Sequence, residues 1–139
     1  YHYLQGKSCK VYNAPFDVRF PRLSAEESTI QTVVQPDISV ICDRTKLDDK
    51  GCLGSPNWII EIVSPSSSGL DYVKKLNLYE KHGVQEYWIV HPFDEAVLVF
   101  KLKENKLYGR PDTYASEDFI PVGIFQGELS IDLKVIFAQ

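Results

Sequence analysis

The stretch Trp58-Ile-Ile-Glu-Ile-Val63 decides the predicted fold, because it is a nearly continuous apolar run with one charged residue, Glu61. Such a run predicts a strand that is buried on both faces of a sheet. A charge in that position is too costly to keep unless a cation or another partner compensates it. Glu61 is therefore the first candidate for a functional residue.

Working outward from this strand, three more apolar runs predict the rest of a central sheet. Asp37-Ile-Ser-Val-Ile-Cys42 is rich in β-branched residues, and Pro36 marks its entry. Glu86-Tyr-Trp-Ile-Val-His91 and Ala96-Val-Leu-Val-Phe-Lys-Leu102 predict two further strands, joined by the turn at Pro92-Phe-Asp94. Predicted strands therefore lie on both sides of the Glu61 strand in the sequence and can pair with it.

One helix is predicted within this series, over residues 71–82. Tyr72, Leu76 and Tyr79 recur at the i, i+4, i+7 spacing of a helix face, and Gly83 stands where a helix C-cap is expected. The order of strands, one helix and then strands predicts an α/β fold with a mixed central β-sheet and few flanking helices.

The length of 139 residues predicts a single domain over residues 1–139. Polarity and alternation predict the remaining segments: an antiparallel strand pair at 9–12 and 16–20, surface loops at 22–31 and 43–56, a turn at 64–68 and a helical turn at 133–137.

The formal net charge of −4 argues against a generic nucleic-acid binder, because polyanion binding depends on Lys and Arg contacts to phosphates. Any nucleic-acid contact must use a local basic patch, for which Lys7, Lys10, Arg19 and Arg22 are the candidates. No apolar run approaches the roughly 20 residues of a membrane helix, so no membrane partner is expected.

The three cysteines, Cys9, Cys42 and Cys52, are odd in number and form no C-x-x-C pair. Neither a disulfide framework nor a zinc site is predicted, and free thiols in a reducing compartment are the expectation. No signal peptide is evident at the start, so a cytoplasmic location is expected.

Asp37 and Glu61 lie on predicted neighbouring strands, where two carboxylates can converge on one hard cation such as Mg²⁺. Lys75 lies on the helix that follows the Glu61 strand. If that helix packs back across the sheet, the Lys75 ammonium can stabilise charge that develops on a phosphate. These three residues are the candidate catalytic set.

The same residues carry a resemblance to a known family. The chain resembles the Uma2 family from about Lys7 to the C-terminus, in four ordered blocks at family-like spacing: Pro36-Asp37, Trp58-Ile-Ile-Glu-Ile-Val-Ser-Pro-Ser66, Asp71-x-x-x-Lys75-Leu-x-x-Tyr79 and Gly83-Val-Gln-Glu-Tyr-Trp-Ile-Val90. That family is similar in turn to the restriction endonuclease-like PD-(D/E)xK nucleases.

The resemblance implies a restriction endonuclease-like fold and a nuclease that hydrolyses phosphodiester bonds with Mg²⁺ or Mn²⁺. Asp37 and Glu61 match the motif carboxylates, and the backbone carbonyl of Ile62 is the implied third metal ligand. Val63 stands at the motif lysine, and Lys75 matches the helix lysine that replaces it in Uma2. The implied partner is nucleic acid, DNA ahead of RNA, and a homodimer is expected.

Two features depart from the family pattern. His91 stands where the family has an aspartate, and the family's N-terminal helix is almost entirely missing or truncated in this chain.

Other interpretations remain open. Glu61 is also compatible with a buried structural ion pair to an arginine. Lys75 has the spacing of a surface partner for Asp71, and Ser68-x-x-Asp71 resembles a helix capping box. A non-catalytic nucleic-acid- or protein-binding domain that keeps the nuclease fold is the alternative function. Metal-dependent hydrolysis of a small phosphorylated molecule is a third.

Overall fold

The secondary structure consists of strands and two α-helices, in a computed structural model that describes residues 1, 3–5, 7–23, 31–65 and 69–138. The strands are β1 (Lys10–Asn13), β2 (Val18–Pro21), β3 (Gln31–Val34), β4 (Ile38–Ile41), β5 (Leu47–Asp48), β6 (Gly51–Leu53), β7 (Trp58–Ile62), β8 (Glu86–His91), β9 (Ala96–Lys101), β10 (Asp112–Ala115), β11 (Phe119–Pro121) and β12 (Ser130–Asp132). The helices are α1 (Gly69–Lys81) and α2 (Leu133–Phe137), and 3-10 turns cover Arg44–Lys46 and Gly123–Phe125.

The predicted buried run forms β7, in the interior of a six-stranded sheet with the order β1-β4-β7-β8-β9-β10. β7 pairs with β8 in parallel and with β4 antiparallel, and the outer pairs are antiparallel. The prediction of a mixed central sheet with few flanking helices is therefore confirmed.

Alternate residues of the central strands enter two hydrophobic cores, one on each face of the sheet, as the two-residue period of a strand requires. Ile59 and Tyr87 join the core that also contains Tyr79 of α1. Trp58 and Trp88 point to the other face, where they pack in a core with Leu133 of α2. The face on which α1 lies is the one that Glu61 shares, because Glu61 follows Ile59 by two positions.

Helix α1 begins two residues before the predicted start and ends one residue early. Its C-terminus is closed by Gly83, which has a φ of +76°. The Val84 N–H donates to the Tyr79 carbonyl at 3.0 Å, and the Gly83 N–H donates to the Glu80 carbonyl at 3.1 Å. This is the Schellman arrangement, so the predicted C-cap role of Gly83 is confirmed.

The predicted hairpin between the first two strands is wrong. β1 pairs with β4 at the edge of the central sheet, whereas β2 lies in a separate four-stranded sheet, β3-β2-β6-β5. The Ala14 N–H donates to the Asp37 carbonyl at 2.9 Å, so the end of β1 stays bound to the chain entering β4. Alternation predicts that a strand exists, but it does not identify its partner.

The predicted surface loop at 43–56 is also wrong, because it contains β5 and β6. β6 pairs in parallel with β2, and this pairing buries Cys52 completely. Gly51 permits the approach: it has a φ of +128°, and a Cβ at this position would lie 2.2 Å from the Asp17 carbonyl oxygen. Charged and glycine residues in this segment therefore belong to a short, partly buried hairpin.

The expectation of free thiols is corrected by a disulfide between Cys9 and Cys42. Lys10 of β1 is paired with Ile41 of β4, so the next position outward brings the two cysteines face to face. Their separation in the sequence gives no hint of this pairing, because it depends on the strand order. Cys52 is a free, buried thiol.

Parts of the predicted loop at 22–31 and of the turn at 64–68 fall on residues 24–30 and 66–68, which are outside the described residues. Across the segments that the structure does describe, none of the helices has the length and apolar character needed to cross a membrane.

Candidate active site

The pairing of β4 with β7 brings Asp37 and Glu61 together. Ile38 is paired with Ile60, so continuing the antiparallel register by one position places Asp37 opposite Glu61. The Asp37 N–H donates to Glu61 Oε1 at 3.3 Å, and the Ile62 N–H donates to Asp37 Oδ2 at 2.7 Å. These two bonds fix both carboxylates at the same end of the strand pair.

Glu61 is only 5% exposed, and two side chains of α1 bind its second carboxylate oxygen, Oε2. Lys75 Nζ lies 3.0 Å from Glu61 Oε2, and the Tyr79 hydroxyl donates to the same oxygen at 2.9 Å. A partner for the buried charge was predicted, and the structure supplies it as a lysine rather than the arginine of the alternative interpretation.

Lys75 and Tyr79 are four residues apart on α1 and hence lie on the same helix face. Tyr79 is fully buried, whereas the Lys75 side chain is 44% exposed. The helix therefore presents a buried hydroxyl and a solvent-accessible ammonium to one carboxylate. Asp71 lies in the first turn of α1, but its side chain and Ser68 are outside the described part of the chain, so the capping-box interpretation stays untested.

Burial strongly raises the pKa of the Tyr79 phenol, and the nearby negative charge of Glu61 raises it further. Tyr79 is consequently a hydrogen-bond donor throughout the ordinary pH range. Burial likewise raises the pKa of Tyr87, with a further contribution from Glu61. The surroundings of Glu61 thus contain donors that stay protonated.

We call the cluster of Asp37, Glu61, Lys75 and Tyr79 the Glu61 corner. Its two carboxylates match the ligands that Mg²⁺ accepts, because Mg²⁺ in proteins takes one or two carboxylates and completes its shell with water and substrate phosphate. In the described part of the chain, Asp37 Oδ1 makes no hydrogen bond. No group of three or more His, Cys, Asp or Glu side chains suited to a metal occurs among the described residues. A cation here would rely on Asp37, Glu61 and backbone oxygen.

His91 ends β8 on the same sheet face as Glu61. Glu61 is paired with Ile89, and His91 follows Ile89 by two positions, so both side chains leave the sheet on the α1 side. The imidazole lies 6.3 Å from the Tyr72 ring of α1, centroid to centroid. His91 is therefore a neighbour of the Glu61 corner.

The predicted basic patch is only partly assembled. Lys7 and Lys10 line a cavity of about 270 Å³ together with Arg44, at the end of β4 opposite to Asp37. Arg19 instead forms an ion pair with Asp48, on the four-stranded sheet. Arg44 is fixed by hydrogen bonds to the carbonyls of Ser8 and Lys7, at 3.0 and 3.1 Å.

Neither Tyr79, which was predicted only as part of a helix face, nor Arg44 was predicted to belong to the site. The spacing of Tyr79 from Lys75 was the available signal, because it places the hydroxyl on the face that carries the ammonium. Arg44 gave no such signal, since its contacts depend on the disulfide and on the pairing of β1 with β4.

Comparison with known proteins agrees with this architecture. A family model, Uma2, described as "Putative restriction endonuclease", matches residues 1–134. Among solved structures, the chain is similar to a crystal structure described as a "putative nuclease belonging to DUF820" from Anabaena variabilis, with a TM-score of 0.73 and 23% sequence identity over 97% of this chain and 72% of that chain. Among curated proteins, none matches. At that identity, the structural likeness shows the fold alone.

Proposed function

Because the chain belongs to the Uma2 family of restriction endonuclease-like proteins, we propose that it is a metal-dependent nuclease that hydrolyses phosphodiester bonds of nucleic acid. The observation that carries this proposal is the meeting of three charged groups from three elements. Asp37 precedes β4, Glu61 lies in β7 and Lys75 lies on α1, yet hydrogen bonds and an ion pair join them at one corner.

Asp37 and Glu61, with the backbone carbonyl of Ile62, are the proposed ligands of Mg²⁺ or Mn²⁺. Such a cation supplies Lewis-acid polarisation of a phosphoryl oxygen and lowers the pKa of a bound water. The Ile62 N–H and the Asp37 N–H orient the two carboxylates by the bonds described above, so the ligands are positioned before a cation arrives.

Lys75 is proposed to act on the substrate directly. Its ammonium has three donors, and its side chain is partly exposed, so it can hold Glu61 Oε2 and a phosphate oxygen together. There it would offset negative charge that grows on the phosphate as a water attacks. Tyr79 would keep the Glu61 carboxylate in place from the buried side.

Nucleic acid is the proposed substrate, with DNA ahead of RNA, and a homodimer is the proposed assembly. The chain is acidic overall, so binding of nucleic acid would depend on local clusters of basic side chains. Lys7, Lys10 and Arg44 form one such cluster, and β4 runs from it to Asp37. Ile41, the partner of Lys10, is four residues from Asp37, so at about 3.3 Å of rise per strand residue the two places are about 13 Å apart along β4. A few nucleotides of a bound strand would span this distance.

The test is a cleavage assay on single- and double-stranded DNA and RNA, with Mg²⁺, Mn²⁺ or a chelator. We expect metal-dependent cleavage by the wild type and at least about a 100-fold loss in Glu61→Gln and in Lys75→Ala, as for loss of a preorganised catalytic group. Lys74→Ala is the matched control, because Lys74 is exposed on the same helix and should retain wild-type activity.

No cleavage of any substrate by a folded wild type would refute the proposal. Equal loss in Lys74→Ala and Lys75→Ala would refute the role of Lys75, because the two lysines then act only through helix charge.

A binding domain without catalysis is the second candidate, and one observation favours it. Glu61 is already compensated by Lys75 and Tyr79, as in a structural buried ion pair. Metal linkage separates the two candidates, since a cation that binds only the folded form raises the melting temperature. A binding domain would show no Mg²⁺- or Mn²⁺-dependent rise, whereas a nuclease would show one that Glu61→Gln abolishes.

A further inference from the structure

Three aromatic residues that the proposed mechanism does not use lie on α1 and at the end of β8, the elements next to Glu61. Tyr72 is on α1, His91 ends β8, and Phe93 lies in the turn that follows β8. We call these three residues the aromatic shelf. The Tyr72 and His91 rings are 6.3 Å apart, and Phe93 is 82% exposed.

The shelf lies just beyond the strand end that carries the candidate ligands. A cavity of about 70 Å³ is lined by residues at the ends of β7 and β8 and in the turns after them, among them Val63, His91, Phe93 and Asp94. The Val63 N–H donates to the Val90 carbonyl at 2.9 Å, which holds the two strand ends together. Val63 is two residues past Glu61, about 7 Å along the strand, which is the scale of one nucleotide.

The Phe93 ring is 82% exposed, so it contributes almost nothing to the core and is open to a ligand. An exposed ring beside a phosphate-processing corner has the chemistry of a stacking platform: every nucleobase has a π-face, and such stacking tolerates any sequence. His91 contributes a second flat ring to the lining of the same cavity, and the Asp94 carboxylate can accept a hydrogen bond from an exocyclic amino group.

We propose that the aromatic shelf binds one unpaired nucleobase next to the phosphodiester bond held at the Glu61 corner. This inference rests on the proposed nuclease function and specifies its substrate class. A base inside a duplex has both π-faces covered by its neighbours, so it must be unstacked before Phe93 can contact it. The preferred substrate is therefore a single strand, or a duplex with a base that is mismatched or turned out.

The experiment measures binding without cleavage, at low salt and without metal, using oligonucleotides that contain 2-aminopurine. Stacking on a ring quenches the fluorescence of this base. We expect the wild type to quench it in a single strand, and Phe93→Ala to lose the quenching and at least about fivefold in affinity. Phe93→Trp should restore the affinity, because it replaces one stacking ring with a larger one.

Phe119→Ala is the matched control, since Phe119 is also exposed, at 60%, but lies on β11 outside the shelf. It should bind like the wild type. A fully paired duplex should bind equally to the wild type and to Phe93→Ala.

The inference is overturned if Phe93→Ala binds the single strand as the wild type does, or weakens duplex binding equally. These outcomes are distinguishable from a failure of the proposed function. If the protein quenches 2-aminopurine but cleaves no substrate, the shelf binds a base and the proposed nuclease function is wrong. If it cleaves and Phe93→Ala has no effect, the nuclease function stands and the shelf does not bind a base.

Discussion

At the scale of single residues, the central feature is a carboxylate inside a buried strand. The two oxygens of Glu61 have different partners: a backbone N–H on Oε1, and the Lys75 ammonium and Tyr79 hydroxyl on Oε2. Removing one partner of this buried carboxylate should lower the free energy of unfolding more than removing a partner of a surface carboxylate, since the remaining charge stays buried.

Tyr79→Phe tests this dependence. Removing the hydroxyl leaves Glu61 with one fewer donor, so we expect a loss of about 1–3 kcal/mol in the free energy of unfolding, measured with urea at pH 7. In a Glu61→Gln background the same substitution should cost less, because no buried charge is left. An equal loss in both backgrounds would contradict the coupling.

The high pKa of Tyr79 adds a pH dependence with a definite sign. The folded chain keeps the phenolic proton where the unfolded chain releases it, so the wild type loses this part of its stability as the pH rises above about 10. The stability difference between wild type and Tyr79→Phe should therefore shrink above that pH. A difference that stays constant up to pH 11 would rule out this linkage.

At the scale of elements, local patterns identified β7, α1 and Gly83, because burial on both faces, a helical period and a C-cap each have a local signature. The strand partners had no local signature. β1 was assigned to β2 although it pairs with β4, and β6 was assigned to a loop although β2 buries it. In the candidate site, Asp37, Glu61 and Lys75 were foreseen to converge, whereas the Tyr79 hydroxyl was not.

Gly51→Ala probes the packing of β6 on the chain before β2. The new Cβ would meet the Asp17 carbonyl oxygen at 2.2 Å, in a backbone conformation that side chains rarely adopt. Gly83→Ala is the control, because it shares the positive φ but would meet nothing within 4 Å.

We expect Gly83→Ala to lose about 1–2 kcal/mol in unfolding free energy from the backbone alone, and Gly51→Ala to lose about 1–3 kcal/mol more. Denaturant titration of both variants measures the difference. Equal losses would mean that β6 moves away at little cost.

At the scale of the whole molecule, one cross-link and one strand pair join the start of the chain to the central sheet. The Cys9–Cys42 disulfide closes a loop across 33 positions and secures β1 against β4, the strand that Asp37 precedes. It also fixes the neighbourhood of Lys7, Lys10 and Arg44. It overturns the expectation that these two cysteines are free thiols.

Reduction should therefore destabilise the whole fold. We expect dithiothreitol to lower the unfolding free energy of the wild type by about 2–4 kcal/mol, as for other native disulfides. A Cys9→Ala/Cys42→Ala variant should be less stable from the outset and should not respond to the reductant. If dithiothreitol leaves the unfolding free energy of the wild type unchanged as well, the disulfide does not stabilise the fold.

The most direct test of the central claim is a crystal of the wild type soaked in Mn²⁺, with anomalous scattering to locate the cation. We predict one strong peak bonded to the carboxylates of Asp37 and Glu61, at the metal–oxygen distances of about 2.0–2.2 Å typical of such ions. Lys75 should remain beside the site, and the same soak of Glu61→Gln should show no peak. Mn²⁺ bound elsewhere, or nowhere, with the Glu61–Lys75 pair unchanged would contradict the account.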